Sequence, residues 1–283
     1  MRNIYLLGFL LSAQLLVAQQ VPEVLQQTKW FTDTVAQGLY IGQHQWDDLF
    51  DSKQSITVLS WDGTTSDFAL QLVYADSNRL TSAMASDAGA IAAINGSFFD
   101  IKNGGGVKYL KVDGRVINYS QIGQYKFLDA GAFAIDQSGQ ATILDAPTDL
   151  DWTIFDTVES YPNIMVSGPW ILKDQQPVDI EPAAFNTNRH PRSFVCTTLE
   201  QKVLFVTEDG RNQHAAGMQI QELQVLAKAL NCYDALNLDG GGSTTMWIRG
   251  MGVINHPSDN GIFDHAGERP CANIIALIPV KEE

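Results

Sequence analysis

The chain has 283 residues, 45% of them hydrophobic, which is enough for a substantial core in one large domain or two small ones. Its 18 Lys and Arg residues are outnumbered by 32 Asp and Glu residues, and the net charge is -14. This acidity disfavours nucleic acid as a partner, because nucleic-acid phosphates bind to basic surfaces. It does not exclude a single phosphate group, which one or two arginines can bind.

The first residues have the pattern of an export signal. Arg2 supplies a positive start, Tyr5–Val17 is mostly apolar, and Ala18 is a small residue suited to a cleavage site. We therefore predict a signal peptide over residues 1–18 and export to the periplasm or the extracellular space; an uncleaved anchor is the alternative. The apolar run is shorter than the roughly 20 residues of a membrane-spanning helix, and we expect no membrane span in the mature protein.

Residues 19–80 form the first predicted segment after the signal. The beginning of this segment is rich in Gln, but its aromatic residues indicate that it docks on a main domain, which we place at residues 81–283. A first strand is predicted at Ser55–Ser60. Phe68–Tyr74 has the two-residue alternation of a half-exposed strand.

In the main domain, short strands joined by tight turns dominate. Asp113-Gly114, for example, is a strong hairpin signal. A short helix or turn is predicted at Thr81–Gly89, and an apolar stripe predicts a helix at Met218–Leu230. The other predicted strands are Ile91–Ile94, Lys108–Val112, Arg115–Asn118, Gly131–Ile135, Ala141–Leu144, Asn163–Ser167, Trp170–Leu172, Phe194–Leu199, Val203–Thr207, Ala235–Leu238 and Asn273–Val280. This pattern predicts an α+β fold: a single domain of largely antiparallel mixed sheets with a few packed helices.

The cysteines and histidines give no sign of a metal or cofactor. Cys196, Cys232 and Cys271 match no zinc-finger spacing, and at least one of them must lack an intramolecular partner. One disulfide is possible, and the spacing does not say which. There is no His-Glu-x-x-His motif and no phosphate-binding P-loop, so we expect no metal and no cofactor.

The most distinctive motif is the run Asn237–Thr245. In it Asp239 ends a short apolar stretch and is followed by Gly240, Gly241 and Gly242, and then by hydroxyl residues. The glycines remove the side chains beside Asp239, so that N–H groups and a bound molecule can approach it closely. Successive N–H groups of a glycine run can also form a concave surface that attracts anions. The run therefore suits a small polar ligand.

Four further polar motifs stand at the ends of predicted strands: Asn95-Gly96-Ser97, Arg189-His190-Pro191-Arg192-Ser193, Asp209-Gly210-Arg211 and Glu268-Arg269-Pro270. The arginines could bind a phosphate through paired hydrogen bonds. Each motif alone also has an ordinary explanation as a turn or a surface ion pair.

Taken together, and in the order in which they occur along the chain, these five motifs resemble those of the phosphodiester glycosidase family. The resemblance covers roughly Ser82 to Pro279, and the Asn-Leu-Asp-Gly-Gly-Gly-Ser block is its most specific part. It implies a secreted bacterial hydrolase that cleaves the anomeric C–O bond of a sugar-1-phosphodiester. The products would be a free sugar and a phosphomonoester, and the substrate a small molecule or a glycan polymer.

The resemblance and the chemistry of glycoside cleavage together suggest roles for the residues. Asp239 would be the nucleophile or the electrostatic partner of the positively charged sugar, and Asp209 or Glu268 would activate water. Arg192, Arg269 and the glycine N–H groups would take up the negative charge of the leaving phosphate. The predicted substrate-binding residues are Asn95, Arg192, Gly240, Gly241, Gly242, Ser243, Thr244 and Arg269.

Two other functions remain open from the sequence. The same fold could serve a non-catalytic carbohydrate-binding protein, with the glycine run cradling sugar or phosphate. Alternatively, Asp209, Asp239 and Glu268 could bind Mg²⁺ or Ca²⁺ through oxygen atoms in a metal-assisted phosphodiesterase.

Overall fold

We describe the protein from a computed structural model, in which residues 21–64 and 67–280 are placed well enough to describe. The predicted signal peptide lies outside these residues. Within them, none of the helices has the length and the apolar character that crossing a membrane requires.

Strands dominate the described residues, and the helices are short. The helices are α1 (Glu23–Gln27), α2 (Thr81–Asp87), α3 (Ala184–Thr187) and α4 (Ile220–Ala229). The strands are β1 (Asp33–Ala36), β2 (Leu39–Trp46), β3 (Gln54–Asp62), β4 (Phe68–Arg79), β5 (Ala92–Asn95), β6 (Leu110–Val112), β7 (Arg115–Asn118), β8 (Gly131–Ile135), β9 (Ala141–Asp145), β10 (Asn163–Ser167), β11 (Trp170–Lys173), β12 (Gln176–Pro177), β13 (Arg192–Thr197), β14 (Lys202–Glu208), β15 (Asp234–Asn237), β16 (Met246–Ile248), β17 (Gly252–Val253) and β18 (Cys271–Pro279).

These strands form three sheets. An eight-stranded sheet has the order β1-β2-β3-β14-β13-β15-β11-β12, and two five-stranded sheets have the orders β7-β6-β10-β8-β9 and β17-β16-β5-β18-β4. Neighbouring strands in the described residues are antiparallel, as between β13 and β14 or β4 and β18. The predicted α+β class with antiparallel sheets in a single domain is confirmed.

One central core is shared by a face of each sheet. Leu59 of β3, Phe133 of β8 and Ile275 of β18 all belong to it. Because side chains alternate along a strand, the sequence neighbours of these residues point to the opposite face of their sheet. Val58, next to Leu59, packs beneath α4, and Ala132, next to Phe133, packs against Trp152. In the third sheet Ile274 packs with Met84 of α2, so both faces of each sheet are covered.

The helix predicted at Met218–Leu230 is α4, shorter than predicted by a few residues. It lies on the eight-stranded sheet through Leu223, Leu226 and Ala227, which are fully buried. The helix ends where Asn231 takes a left-handed backbone conformation, with φ of 58°.

The N-terminal segment contributes strands to two sheets. β1, β2 and β3 are the first three strands of the eight-stranded sheet, and β4 is the edge strand paired with β18. The segment is therefore held by main-chain hydrogen bonds as well as by side-chain packing. The domain boundaries themselves stay a prediction.

The cysteine pairing that the sequence left open is Cys196 with Cys232. This disulfide joins β13 to the turn after α4, across a sequence separation of 36 residues. Cys271, at the start of β18, is a buried free thiol.

Candidate active site

The candidate site is the place where strands of all three sheets end around Asp239. The Asp239 N–H donates to the carbonyl oxygen of Gly96 at 3.0 Å. Asn95 Nδ2 donates to the Asp239 carbonyl oxygen at 2.7 Å. Asn95 Oδ1 accepts from Ser193 Oγ at 2.6 Å and from the Thr245 N–H at 3.1 Å. The fully buried Asn95 thus joins β5, β13 and the glycine loop, and it fixes the backbone from which the Asp239 carboxyl projects.

The glycine loop allows three charged groups to approach where a side chain would block them. Gly241 has φ of 65°, and a Cβ on it would lie 2.9 Å from Nη2 of Arg211. A Cβ on Gly242 would lie 1.8 Å from Oδ1 of Asp259 and 2.7 Å from Nη2 of Arg269. Of the loop N–H groups, that of Gly241 donates to the Pro191 carbonyl at 2.9 Å.

The Asp239 carboxyl is partly accessible to solvent but largely enclosed by protein. Burial raises its pKa to about 6, against the opposing effects of Ser243, the Gly240 N–H, Arg269 and Arg211. The Ser243 hydroxyl lies beside the carboxyl, although its geometry falls short of a full hydrogen bond. Asp239 can therefore change its protonation state within the range in which many enzymes work.

Arg269 is held in place by Asp259. Its Nε and Nη2 atoms donate to the two Asp259 carboxylate oxygens at 2.8 and 2.6 Å, a two-pronged ion pair. The Arg269 N–H also donates to the Gly242 carbonyl oxygen at 3.1 Å. The hydrogen bonds to Asp259 raise the pKa of Arg269, so the guanidinium group is a fixed positive charge beside the glycine loop.

Arg211 is a second positive charge at the loop, and it is uncommitted. The residue is exposed and has a left-handed backbone with φ of 59°. Across the described ranges 21–64 and 67–280, its guanidinium group has no hydrogen bond or ion pair within the chain. The five N–H donors of the group are therefore available to an anion.

Arg192, the predicted phosphate ligand, is bound elsewhere. It is 2% exposed, and its Nε and Nη2 atoms donate to the carbonyl oxygens of Met218, Phe185 and Asn188 at 3.0, 2.5 and 3.2 Å. Burial lowers its pKa to about 10, with Arg211 acting in the same direction and Asp239 in the opposite one. Arg192 is thus electrostatically coupled to the site, but its hydrogen bonds hold the main chain.

Asp209 orients a histidine that the sequence analysis did not select. Asp209 is 1% exposed, and Oδ2 accepts from His256 Nδ1 and from Ser55 Oγ, each at 2.8 Å. Oδ1 accepts from the His256 N–H at 2.8 Å and from Asn255 Nδ2 at 3.0 Å. The His256 ring stacks on Phe263 with centroids 3.7 Å apart. A neutral His256 that donates through Nδ1 keeps the lone pair of Nε2 for a proton.

The remaining predicted residues have structural contacts. Glu268 Oε2 accepts from the Ser82 N–H, in the first turn of α2, at 3.0 Å. Ser243 and Thr244 are fully buried, and the Thr244 carbonyl oxygen accepts from Asn255 Nδ2 at 3.0 Å. The Thr244 hydroxyl group has no hydrogen-bond partner in the described part of the chain.

The structure therefore brings Asp239, the three glycines and Arg269 together, and it adds Arg211 and Asp259. His256 is connected to the end of the glycine loop through Asp209 and Asn255, whose Nδ2 also donates to the Thr244 carbonyl oxygen. Arg211 stands in a motif that the sequence analysis had noted, whereas Asp259 and His256 carried no local signal. Among residues 21–64 and 67–280, no group of three or more His, Cys, Asp or Glu side chains is placed to hold a metal ion.

A comparison with protein families decides the affiliation. The phosphodiester glycosidase family matches residues 88–278. The chain belongs to the phosphodiester glycosidase family. A curated relative is the SPbeta prophage-derived uncharacterized protein YomE of Bacillus subtilis, 29% identical over 99 residues; the match covers 34% of this chain and 15% of YomE.

Three solved structures share the fold of this family member. The catalytic domain of zebrafish N-acetylglucosamine-1-phosphodiester alpha-N-acetylglucosaminidase, auto-inhibited by its pro-peptide, superposes with a TM-score of 0.69 at 18% identity, over 88% of this chain and 85% of that one. A Burkholderia pseudomallei protein described as exported gives 0.61 at 16% identity over 80% and 74%. A Synechocystis protein gives 0.61 at 16% identity over 85% and 62%. At these identities the likeness shows the fold alone.

Proposed function

We propose that the protein hydrolyses the anomeric C–O bond of a sugar-1-phosphodiester and releases a free sugar and a phosphomonoester. One observation carries the proposal: the Asp239 carboxyl lies beside a glycine loop against which Arg211 and Arg269 place two guanidinium groups. A negative group is thus next to two positive ones, which is what a bond between a sugar carbon and a phosphate requires.

Breaking the anomeric C–O bond determines where charge develops in the substrate. The anomeric C–O bond breaks, and its electron pair goes to the phosphate oxygen. The sugar carbon becomes positive, and the ionised Asp239 stabilises it. A water oxygen then supplies the new bond to that carbon and loses a proton. The phosphomonoester is a weak base, so stabilising its charge matters more than protonating it.

The two arginines suit the leaving phosphate in different ways. Arg269 is oriented by Asp259 before any ligand arrives, so no freedom is lost when it acts. Arg211 is exposed and has donors to spare, so it can bind two phosphate oxygens in the planar, two-pronged manner of arginine. Arg192 supports the site by holding the main chain around Met218 and Phe185.

We assign to His256 the role of the general base that takes the proton from the attacking water. The two oxygens of Asp209 already accept four hydrogen bonds, so Asp209 is poorly placed to take a proton from water itself. The His256 ring, held by Asp209, can accept the proton on Nε2, and its partner carboxylate stabilises the resulting cation.

The metal-assisted alternative gains no support from these contacts. Asp209 is saturated with donors, and Glu268 is bonded to the helix α2 backbone. A non-catalytic carbohydrate-binding protein would use the same cleft, so only a product assay separates it from an enzyme.

Export is part of the proposal. The Cys196–Cys232 disulfide is typical of proteins that fold in an oxidising compartment, and the predicted signal peptide points the same way. We therefore place the enzyme in the periplasm or outside the cell.

The test is a product assay over a panel of sugar-1-phosphodiesters and of the nucleotide sugars UDP-N-acetylglucosamine and UDP-glucose, with the free sugar and the released phosphate product (the phosphomonoester, or UDP from a nucleotide sugar) quantified separately. We expect equal amounts of both, lost in Asp239→Asn and retained in Asp179→Asn, a control at an exposed aspartate far along the chain. Absence of sugar release from every member of the panel would overturn the proposal.

A further inference from the structure

Four aromatic side chains form a contiguous cluster, which we call the aromatic row: Phe98, Phe185, Phe127 and Tyr125. Ring centroids are 6.1 Å apart between Phe98 and Phe185, 5.7 Å between Phe185 and Phe127, and 5.2 Å between Phe127 and Tyr125. All four side chains are partly exposed. They come from three separate segments, so their meeting is a product of the fold.

The aromatic row lies against the residues that lead into Asp239. Phe98 follows Gly96, whose carbonyl oxygen accepts the Asp239 N–H. The Phe127 carbonyl group touches Gly168, to whose carbonyl oxygen Asn237 Nδ2 donates at 2.9 Å. This contact network reaches the Asp239 main chain at one end and the Asn237 side chain at the other.

Phe185 links the row to the electrostatics of the site. The Arg192 guanidinium carbon lies 4.8 Å from the Phe185 ring centroid, in a cation–π contact. Arg192 is also coupled electrostatically to Asp239. Phe185 therefore packs on an arginine whose charge acts on Asp239.

The segment that carries Phe127 and Tyr125 is anchored by a buried ion pair. Lys108 Nζ lies 2.5 Å from Asp129 Oδ2, with side-chain exposures of 5% and 0%. The Asp129 carbonyl oxygen also accepts from Trp152 Nε1 at 3.1 Å. The ion pair and the Trp152 hydrogen bond attach the segment to the sheet at Asp129, two residues after Phe127.

The positive charges are on the other chain segment. Arg211 and Arg269 lie against Gly241 and Gly242, the residues that follow Asp239. In a sugar-1-phosphodiester the reacting carbon stands between the ring and the phosphate. If the phosphate contacts the two arginines and the carbon contacts Asp239, the sugar ring lies away from the arginines, and the aromatic row, which approaches the chain just before Asp239, is the surface to which we assign it.

We propose that the aromatic row is the binding surface for a pyranose ring of the substrate. This inference rests on the proposed function, which sets where the anomeric carbon lies. One face of a pyranose presents C–H bonds with small positive charges, and the face of an aromatic ring is negative. The surface sorts substrates by their sugar and is indifferent to what is esterified beyond the phosphate.

The test uses Phe98→Leu and Tyr125→Leu, singly and together. Leucine keeps most of the apolar volume and removes the aromatic face, so folding is preserved while stacking is lost. Tyr40→Leu is the matched control, because Tyr40 is an exposed aromatic residue on β2. Thermal melting of each variant verifies the fold.

Two substrates that share N-acetylglucosamine-1-phosphate, one a methyl ester and one a 4-nitrophenyl ester, separate the sugar from the aglycone. We expect KM to rise about 3- to 10-fold per ring with both substrates, as stacking energies of this class suggest, while kcat and the Tyr40→Leu control stay unchanged. A rise confined to the nitrophenyl ester would overturn the sugar assignment in favour of an aglycone surface. Unchanged KM in an active enzyme would overturn the inference and leave the proposed function standing.

Calorimetric measurement of free monosaccharide binding tests the sugar-binding role of the aromatic row separately from the proposed hydrolysis. If the wild-type protein cleaves none of the panel but binds a monosaccharide that the double variant does not bind, the proposed function fails and the row stands. If the wild-type protein binds no monosaccharide and cleaves nothing, both are overturned.

Discussion

The Arg211 guanidinium group lies directly over Gly241, with Nη2 only 2.9 Å from where a Cβ would be. No other residue type would leave room for this contact while also adopting φ of 65°. The distinctive glycine run therefore has a specific physical purpose: it brings an uncommitted positive charge next to the Asp239 carboxyl.

The first prediction concerns this contact. Gly241→Ala should displace Arg211 and lower kcat/KM at least about 10-fold, since the two groups would overlap. Gly250→Ala is the control, because Gly250 also has a positive φ of 81° but has no atom within 4 Å of its Cβ position. Both variants should lose about 1 kcal/mol of stability from backbone strain. Equal kinetic losses in the two would show that strain alone is responsible.

The second prediction contrasts two arginines. Arg211→Gln should lower kcat/KM about 100-fold, as loss of a charge-stabilising donor does, with little change in melting temperature because the residue is exposed. Arg192→Lys should instead destabilise the fold by about 2–4 kcal/mol, since the buried Met218 carbonyl group and the partly buried carbonyl groups of Phe185 and Asn188 lose their donor. Denaturant titrations and steady-state kinetics on both variants measure this. A stable but inactive Arg192→Lys would restore Arg192 as the phosphate ligand.

The third prediction is a pH profile. Only the ionised form of Asp239 stabilises a positive sugar, and burial raises its pKa to about 6. Activity in kcat/KM should therefore rise with pH through about 6 on the acidic limb. A profile on sugar-1-phosphodiester substrate checks this. An acidic limb near pH 4, typical of an unperturbed carboxyl, would contradict the assignment.

The fourth prediction follows from the same shift by linkage. Because the folded state binds the Asp239 proton more tightly than the unfolded state, the free energy of unfolding falls as pH rises from 3.8, the ordinary pKa of an aspartate, through about 6. Asp239→Asn lacks this loss, so at pH 7 it should be more stable than wild type by about 3 kcal/mol, with the difference vanishing below pH 4. Urea unfolding at both pH values measures it, and a less stable Asp239→Asn at pH 7 would count against the shift.

The fifth prediction concerns the proton acceptor. His256→Ala should lower kcat about 100-fold or more, as removal of a general base does, and added imidazole should restore part of the activity. His265→Ala is the control, because its exposed ring stacks on His256 at 4.7 Å without contacting Asp209. Wild-type kinetics in His256→Ala would remove it from the mechanism.

Local sequence patterns were sufficient for most of the fold. The turn at Asp113-Gly114 was predictable because Asp-Gly favours a hairpin turn in which both residues have a positive φ. The φ angles are 49° and 77°. The stripe on α4 is readable because one helical face must be apolar. The Cys196–Cys232 pair was not readable, since it depends on which strands become neighbours.

Within the site, the division between what was and was not predictable has the same cause. Asp239 and the three glycines were predicted as a ligand site because their local sequence is distinctive. Whether an arginine is free or bonded to carbonyl groups depends on distant residues, and so Arg192 and Arg211 could not be told apart by spacing. Asp259 and His256 lie in a loop without a pattern, and only the fold brings them to Arg269 and Asp209.

The position of bond cleavage tests the central claim most directly. Hydrolysis of a sugar-1-phosphodiester in water enriched in heavy oxygen, followed by mass spectrometry of both products, reports which atom water attacks. The account predicts the heavy oxygen in the sugar and none in the phosphomonoester. Heavy oxygen in the phosphomonoester would mean cleavage of the P–O bond and would contradict it.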